Sequence, residues 1–185
     1  MKSLVIITFW LFLICGTGTN LFAQKIKREY RISPADVHPA AKSFVKETLT
    51  SSRVKWYAEE HEDGKTIEAK GKNGNRAFSI EFDNDGKILD IEKNIQFADL
   101  NPDLQKKIRS TLAKELLRYQ LISVQEVRNG MQEELKKAIL EPGLALNSKN
   151  TYELVVRGRT DKGMGFFEFL FNSSGEMIDY AELKK

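Results

Sequence analysis

The 185-residue chain has one cysteine, two histidines, four prolines and two tryptophans. A single thiol cannot close an intrachain disulfide, so the fold must be held by packing. Two histidines and one cysteine fall short of the several nitrogen and sulfur donors that structural zinc-type sites collect. There is no Gly-x-Ser-x-Gly elbow and no histidine placed to serve a nucleophile. Gly158-Arg-Thr-Asp-Lys-Gly163 lacks the Gly-Lys-Thr order of a phosphate loop and reads as a basic turn between strands. Neither charge sign dominates, with 29 Lys+Arg against 26 Asp+Glu. These absences predict a protein that is not an enzyme and needs no cofactor.

The first 23 residues read as a leader. Lys2 is followed by an apolar run from Leu4 to Cys15, a small polar stretch and Leu21-Phe22-Ala23. That order predicts a signal peptide cleaved near Ala23, and with it a periplasmic or secreted location. The run is shorter than the ~20 apolar residues that span a bilayer, and no other stretch supplies a transmembrane segment. A lipid anchor on Cys15 is the alternative, but Ile14 stands where a lipoprotein signal takes a small residue.

Removing 23 of 185 residues leaves 162, enough for one compact domain or two small ones packed together. The leader also takes away the only cysteine and one basic residue, Lys2. Gln24–Arg31 then holds four basic residues and one acid, and the remainder of the chain carries 24 basic against 25 acidic. The body is therefore near neutral, which argues against nucleic acid. Residues 24–32 are expected as a basic, solvated N-terminal arm.

The chain also repeats itself. Phe78–Asp90 lies over Phe167–Asp179 at an offset of 89, with Phe78, Phe82, Gly86, Leu89 and Asp90 meeting Phe167, Phe171, Gly175, Ile178 and Asp179. Each copy alternates apolar side chains at i, i+2 and i+4, turns through polar residues ending in glycine, and returns: a β-hairpin. Ahead of each lies a helix signal, Ser33-Pro34-Ala35-Asp36 and Asn101-Pro102-Asp103, with an N-cap residue before a first-turn proline. Pro39 complicates the first and can delay the regular helix past His38. The second unit carries 21 extra residues, an insert at 129–150 whose Met131, Leu135, Ala138 and Ile139 form a helical stripe ended by Pro142-Gly143. The expected fold class is α+β, two tandem helix-then-strand units at 33–97 and 101–183, forming a mostly antiparallel sheet with helices packed on one face.

The order of Ser33–Asp36 with Ala40–Phe44, then Val54-Lys55-Trp56, then Phe78–Asp90, with a second set at Pro102–Leu112 and Phe167–Asp179, resembles a family of small secreted proteins. These are the PepSY-like or β-lactamase-inhibitor-like proteins of Bacteroidetes-type envelopes. The resemblance implies an α+β fold in the periplasm, no enzymatic activity, and a role in binding or restraining an envelope or secreted protein. It supplies no catalytic residues.

Two binding chemistries remain. Counting from Glu81 places Glu81, Asp83, Asp85, Gly86 and Glu92 at positions 1, 3, 5, 6 and 12 of a calcium loop, so Asp83, Asp85 and Glu92 are the metal candidates. Strand-like flanks and the loss of the carboxylates in the second copy favour a plain turn. His61, in an acidic turn at 59–64, reads as solvated. The other chemistry is apolar. Trp56 shares a face with Val54 and Ala58 and reads as core, leaving its neighbour Tyr57 outward; Phe166 and Leu170 occupy the second face of their strand. Tyr57, Phe166 and Leu170 are the candidate partner-binding residues. The leading expectation is a non-enzymatic module that binds a protein, with a small-ligand or cation sensor as the alternative.

Overall fold

The computed structural model describes residues 25–61, 64–141 and 150–184. The expected leader, its cleavage near Ala23, Cys15 and the Pro142-Gly143 stop lie outside them. The described chain forms β1 (Lys25–Arg31), α1 (Pro39–Thr48), β2 (Lys55–His61), β3 (Gly64–Asn73), β4 (Arg76–Phe82), β5 (Ile88–Asn94), α2 (Pro102–Glu115), β6 (Arg118–Asn129), α3 (Gln132–Leu140), β7 (Thr151–Thr160), β8 (Gly163–Phe171) and β9 (Met177–Lys184). Single 3₁₀ turns at Pro34–Asp36 and Phe97–Asp99 precede the first two helices.

Successive strands pair antiparallel from β1 to β9, and β1 then pairs parallel with β9, Lys27 opposite Leu183, so the sheet closes into a nine-stranded barrel. This corrects the expected α+β class of two helix-then-strand units forming a mostly antiparallel sheet with helices packed on one face. It also corrects the basic arm, because Lys25–Arg31 is the strand that closes the barrel, lying between β9 and β2. Local pattern could not announce either feature. Closure joins segments some 150 residues apart, and Lys25–Arg31 shows charge where a strand signal needs apolar alternation.

The helix starts follow proline chemistry. Ser33 caps only the 3₁₀ turn, with its Oγ accepting from the Ala35 amide at 3.2 Å, and α1 waits for Pro39, where His38 Nδ1 accepts from the Ala40 amide at 3.3 Å. Asn101 caps α2 directly, its Oδ1 accepting from the Asp103 amide at 2.8 Å.

All three helices lie on the outside of the barrel over two apolar layers. Ala41, Phe44 and Val45 of α1 cover Trp56, Ala58, Ile80 and Phe82, and Leu135 and Ile139 of α3 join the same layer. Leu104, Ile108 and Leu112 of α2 cover Leu154, Val156, Phe167, Phe169 and Phe171. Burying each such side chain is worth about 1.5–3 kcal/mol, so the outer face of the sheet, not its interior, holds the hydrophobic core. The insert helix thus reaches back to the first half. Asn73 Nδ2 and Arg76 Nη2 both donate to its C-terminal Ile139 carbonyl at 2.9 Å, and Lys136 pairs with Glu47 of α1 at 2.6 Å.

The two hairpin turns share one geometry. Gly86 and Gly175 donate to the carbonyls of Asp83 and Asn172 at 3.0 Å, both glycines have positive φ (77° and 84°), and both pairings shift register just before the turn. A Cβ on Gly175 would stand 3.0 Å from Leu104 Cδ1 and Lys107 Cβ of α2. Gly175→Ala is therefore expected to cost about 1–3 kcal/mol, from the left-handed backbone plus the close approach of helix and turn. Urea unfolding followed by Trp56, buried at 5% exposure, measures it; a loss below about 0.5 kcal/mol would contradict the reading.

Candidate functional site

Strand alternation puts the helices' apolar partners outward and sends the side chains between them into the barrel. In Ile67-Glu68-Ala69, Ile80-Glu81-Phe82, Asp90-Ile91-Glu92, Glu153-Leu154 and Phe167-Glu168-Phe169, the residue facing inward is each time an acid. With Glu59, seven carboxyl groups line the interior. The cations set among them are Lys27 of β1 and Lys70 of β3, with His61 at the end of β2.

Lys27 organises the centre. Its Nζ lies 2.6 Å from Glu59 Oε2 and donates to both oxygens of Glu168 at 3.1 Å. Burial alone would lower its pKa, but the attraction of Glu168, Glu59 and Glu153 outweighs burial and raises it well above the ordinary lysine value. Lys70 Nζ bridges Glu68 Oε2 at 2.9 Å and Glu29 Oε1 at 3.0 Å.

The carboxyls respond in the opposite sense. Burial pushes the Glu68 pKa up to about 7, against the pull of Lys70 and with the help of Glu59. Asp90 is raised well above its ordinary value by burial and by Glu81, whose charge and hydrogen bond both favour the protonated form of Asp90. Glu92 is raised well above its ordinary value by burial and by Asp90 and Glu68, Glu153 likewise by burial and by Glu92 and Glu168, and Glu168 is raised by burial although Lys27 opposes it. Glu92 also accepts from Gln125 Nε2. Lys27, Glu59 and Glu168 side chains keep 11%, 9% and 17% of their surface accessible, so the interior is a polar space and not a dry core.

At one end this polar lining becomes a cluster. Glu59, His61 and Glu81 each offer an atom within 4.8 Å of the others, and Glu59 also groups with Glu29 and Glu68 in the same way. Thr66 Oγ1 sits between the first three, 3.3 Å from His61 Nε2 and donating to Glu81 Oε1 at 2.6 Å.

At the opposite end three strands run past the closed section. β6 pairs with β5 only from Gln125 onward, and β8 pairs with β9 only from Phe166 onward, while β6, β7 and β8 stay paired to their tips. One face of this flap packs under Leu116 through Gly158. The other carries two cross-strand rows, Arg118–Arg159–Met164 and Gln120–Arg157–Phe166. The three arginines and Met164 are exposed, and Arg118 Nη2 reaches Met164 Sδ at 3.9 Å.

The residues expected from sequence are redistributed by this architecture. Trp56 is core, packed on Phe82 with ring centroids 6.3 Å apart. Tyr57, expected outward, faces the interior, half-buried beneath Lys70 Nζ at 5.0 Å. Phe166 lies on the flap, and Leu170 is half-buried beside Glu153 and Asp179. Tyr57, Phe166 and Leu170 thus share a face of the sheet without forming one outward patch. The calcium-loop set is not assembled either. Asp83 Oδ1 accepts from the amides of Asp85 at 3.0 Å and Lys87 at 2.8 Å, which fixes the turn, while Glu92 points into the barrel. Strands flank the loop where that motif needs helices. The interior acids themselves are legible in the sequence only as the polar half of each alternation, which on an open sheet would face water.

Comparison with solved structures finds chains similar to this one. The chain is similar to a BLIP-like protein. That protein, BF1215 of Bacteroides fragilis NCTC 9343, shares 16% identity over 79% of this chain and 86% of its own, with a TM-score of 0.45. A DUF2874 family protein of Bacteroides ovatus ATCC 8483 shares 13% over 80% and 89% (TM-score 0.47), and one of Bacteroides uniformis ATCC 8492 shares 14% over 78% and 88% (TM-score 0.48). The β-lactamase-inhibitor-like side of the resemblance has a counterpart here; none of the three is described as PepSY-like. No family model matches the chain, and no curated protein does. Among the described residues no helix is long and apolar enough to cross a membrane.

Proposed function

We propose that the chain acts outside the cytoplasm, after loss of residues 1–23, as a non-enzymatic module that binds a protein partner through the flap of β6, β7 and β8. The observation that carries this is the surface of Arg118, Arg157, Arg159 and Met164, continued inward by Phe166. Arginine, methionine and aromatic side chains are the types enriched where proteins meet, and a rigid three-stranded platform presents them at little entropic cost. Three like charges on one small face select a partner with an acidic surface and make its capture sensitive to salt. The leader supports export.

The test is to recover a binder from envelope or culture extract, purify it, and titrate it against the native chain and Arg157→Glu/Arg159→Glu. Both substitutions are exposed and are expected to leave stability within about 0.5 kcal/mol. Affinity is expected to fall at least tenfold, on the order of 2 kcal/mol or more for a central arginine pair. Affinity unchanged in the variant, or indifferent to salt, would remove the flap from the account.

A further inference from the structure

We propose that Glu59, His61 and Glu81 form a binding site for a divalent transition-metal ion at the mouth of the barrel. The site is separate from the flap and does not depend on the partner-binding reading. Glu59 and His61 stand two apart on β2, so both face inward; Glu81 comes from β4, with Thr66 of β3 between them. Their donor atoms lie within 4.8 Å of one another, the span of ligands around a single ion. One imidazole nitrogen with two carboxylate oxygens suits zinc, manganese or iron better than calcium, which takes six to eight oxygens. The Thr66 hydroxyl, 3.3 Å from His61 Nε2 and donating to Glu81 Oε1, holds two of the three side chains in place.

A further observation points to a cation. Beside Glu81, its cross-strand neighbour Asp90 has an Oδ1 that is buried with no hydrogen-bond partner, an acceptor left over after Asp90 has bonded to Glu81. Access is provided by His61, whose side chain is 33% exposed while Glu59 is 9% exposed, so an ion can enter at the imidazole and be held by the deeper carboxylate. No motif announces the set, because its members are spread over two strands and meet only through the two hairpins that join β2, β3 and β4.

The test is titration of untagged, chelator-treated protein with ZnCl2, MnCl2 and CaCl2 at pH 7.5, with CoCl2 as a visible-absorption probe. The expected result is one saturable zinc or manganese site per chain with a higher melting temperature. Affinity should fall at least tenfold in both His61→Ala and Glu81→Gln, and the cobalt spectrum should be lost in His61→Ala. Asp85→Asn, on the outer turn, should bind as the native chain does. Because His61 is partly exposed, His61→Ala is expected to fold even where Glu81→Gln does not. Absence of a saturable site for zinc and manganese, binding within threefold of native in His61→Ala, or calcium binding preferred over both would overturn the proposal.

Discussion

Lys27→Met is expected to lower stability at pH 7.5 by about 3–5 kcal/mol, the cost of leaving a buried charge without its partner. Methionine keeps the unbranched four-atom apolar stem of lysine, so the loss isolates the ammonium. Without it, Glu59 and Glu168 face each other across the space that Nζ spans at 2.6 and 3.1 Å, and Glu153, which feels the same charge, loses its attraction too. The deficit should shrink as pH falls towards 5, because Glu153 and Glu168 can then take up protons instead of standing ionised without a partner. Urea midpoints of native and variant protein at pH 7.5 and 5.0 make the measurement. A deficit below about 1 kcal/mol at pH 7.5, or one that acid does not relieve, would mean that Lys27 is not the charge that holds the interior together.

The native barrel is expected to be more stable at pH 5 than at pH 8, the reverse of ordinary acid denaturation. Linkage sets the sign. Glu68, Asp90, Glu92, Glu153 and Glu168 all have pKa values raised by folding, so the folded state holds their protons more tightly than the unfolded chain does. That contribution is present in full below the unfolded carboxyl range and is lost as pH rises through the folded values. For Glu68 the window runs from 4.5 to about 7. Glu47 and Glu176 are lowered, by hydrogen bonds from Lys136 and Asn172, and act in the other direction, but both are at the solvent-screened surface. Glu68→Gln removes one ionisation and should raise stability at pH 8 by about 1–3 kcal/mol, less than the full shift implies because Lys70 loses one of its two carboxylates. At pH 4.5 the variant and native chains should be alike. Melting curves in EDTA across pH 4.5–8.5 test this without interference from metal ions; a native stability that rises towards pH 8 would refute it.

These two results concern residues that the sequence shows only as charges. Ile80-Glu81-Phe82 and Phe167-Glu168-Phe169 read at once as strands with one apolar and one polar face, and the apolar face is indeed core, as Phe82 and Phe169 are fully buried. The polar face reads as solvent-facing because an open antiparallel sheet with helices on one side leaves it in water. His61 reads as a turn residue for the same reason: its company on β4 lies 20 residues away and is brought near only by two hairpins. Asp83 and Asp85 carry the strongest local metal pattern and turn out to stabilise a turn, whereas the set that converges has no local pattern at all.

What the sequence by itself determined is therefore local: the proline-capped starts of α1 and α2, the alternation of the strands, the glycines of the two hairpin turns, and the apolar stripe that lets α3 cover the first half. These arise from backbone geometry and side-chain periodicity within a few residues. Only the tertiary structure decided that Lys25–Arg31 is a strand, that it pairs with β9, and that the polar face becomes an interior. Closure is a contact between chain ends whose favourable energy is spread over backbone hydrogen bonds and one shared ammonium, neither of which leaves a periodic mark. Once made, it turns seven ordinary acids inward and gives this barrel an interior governed by charge.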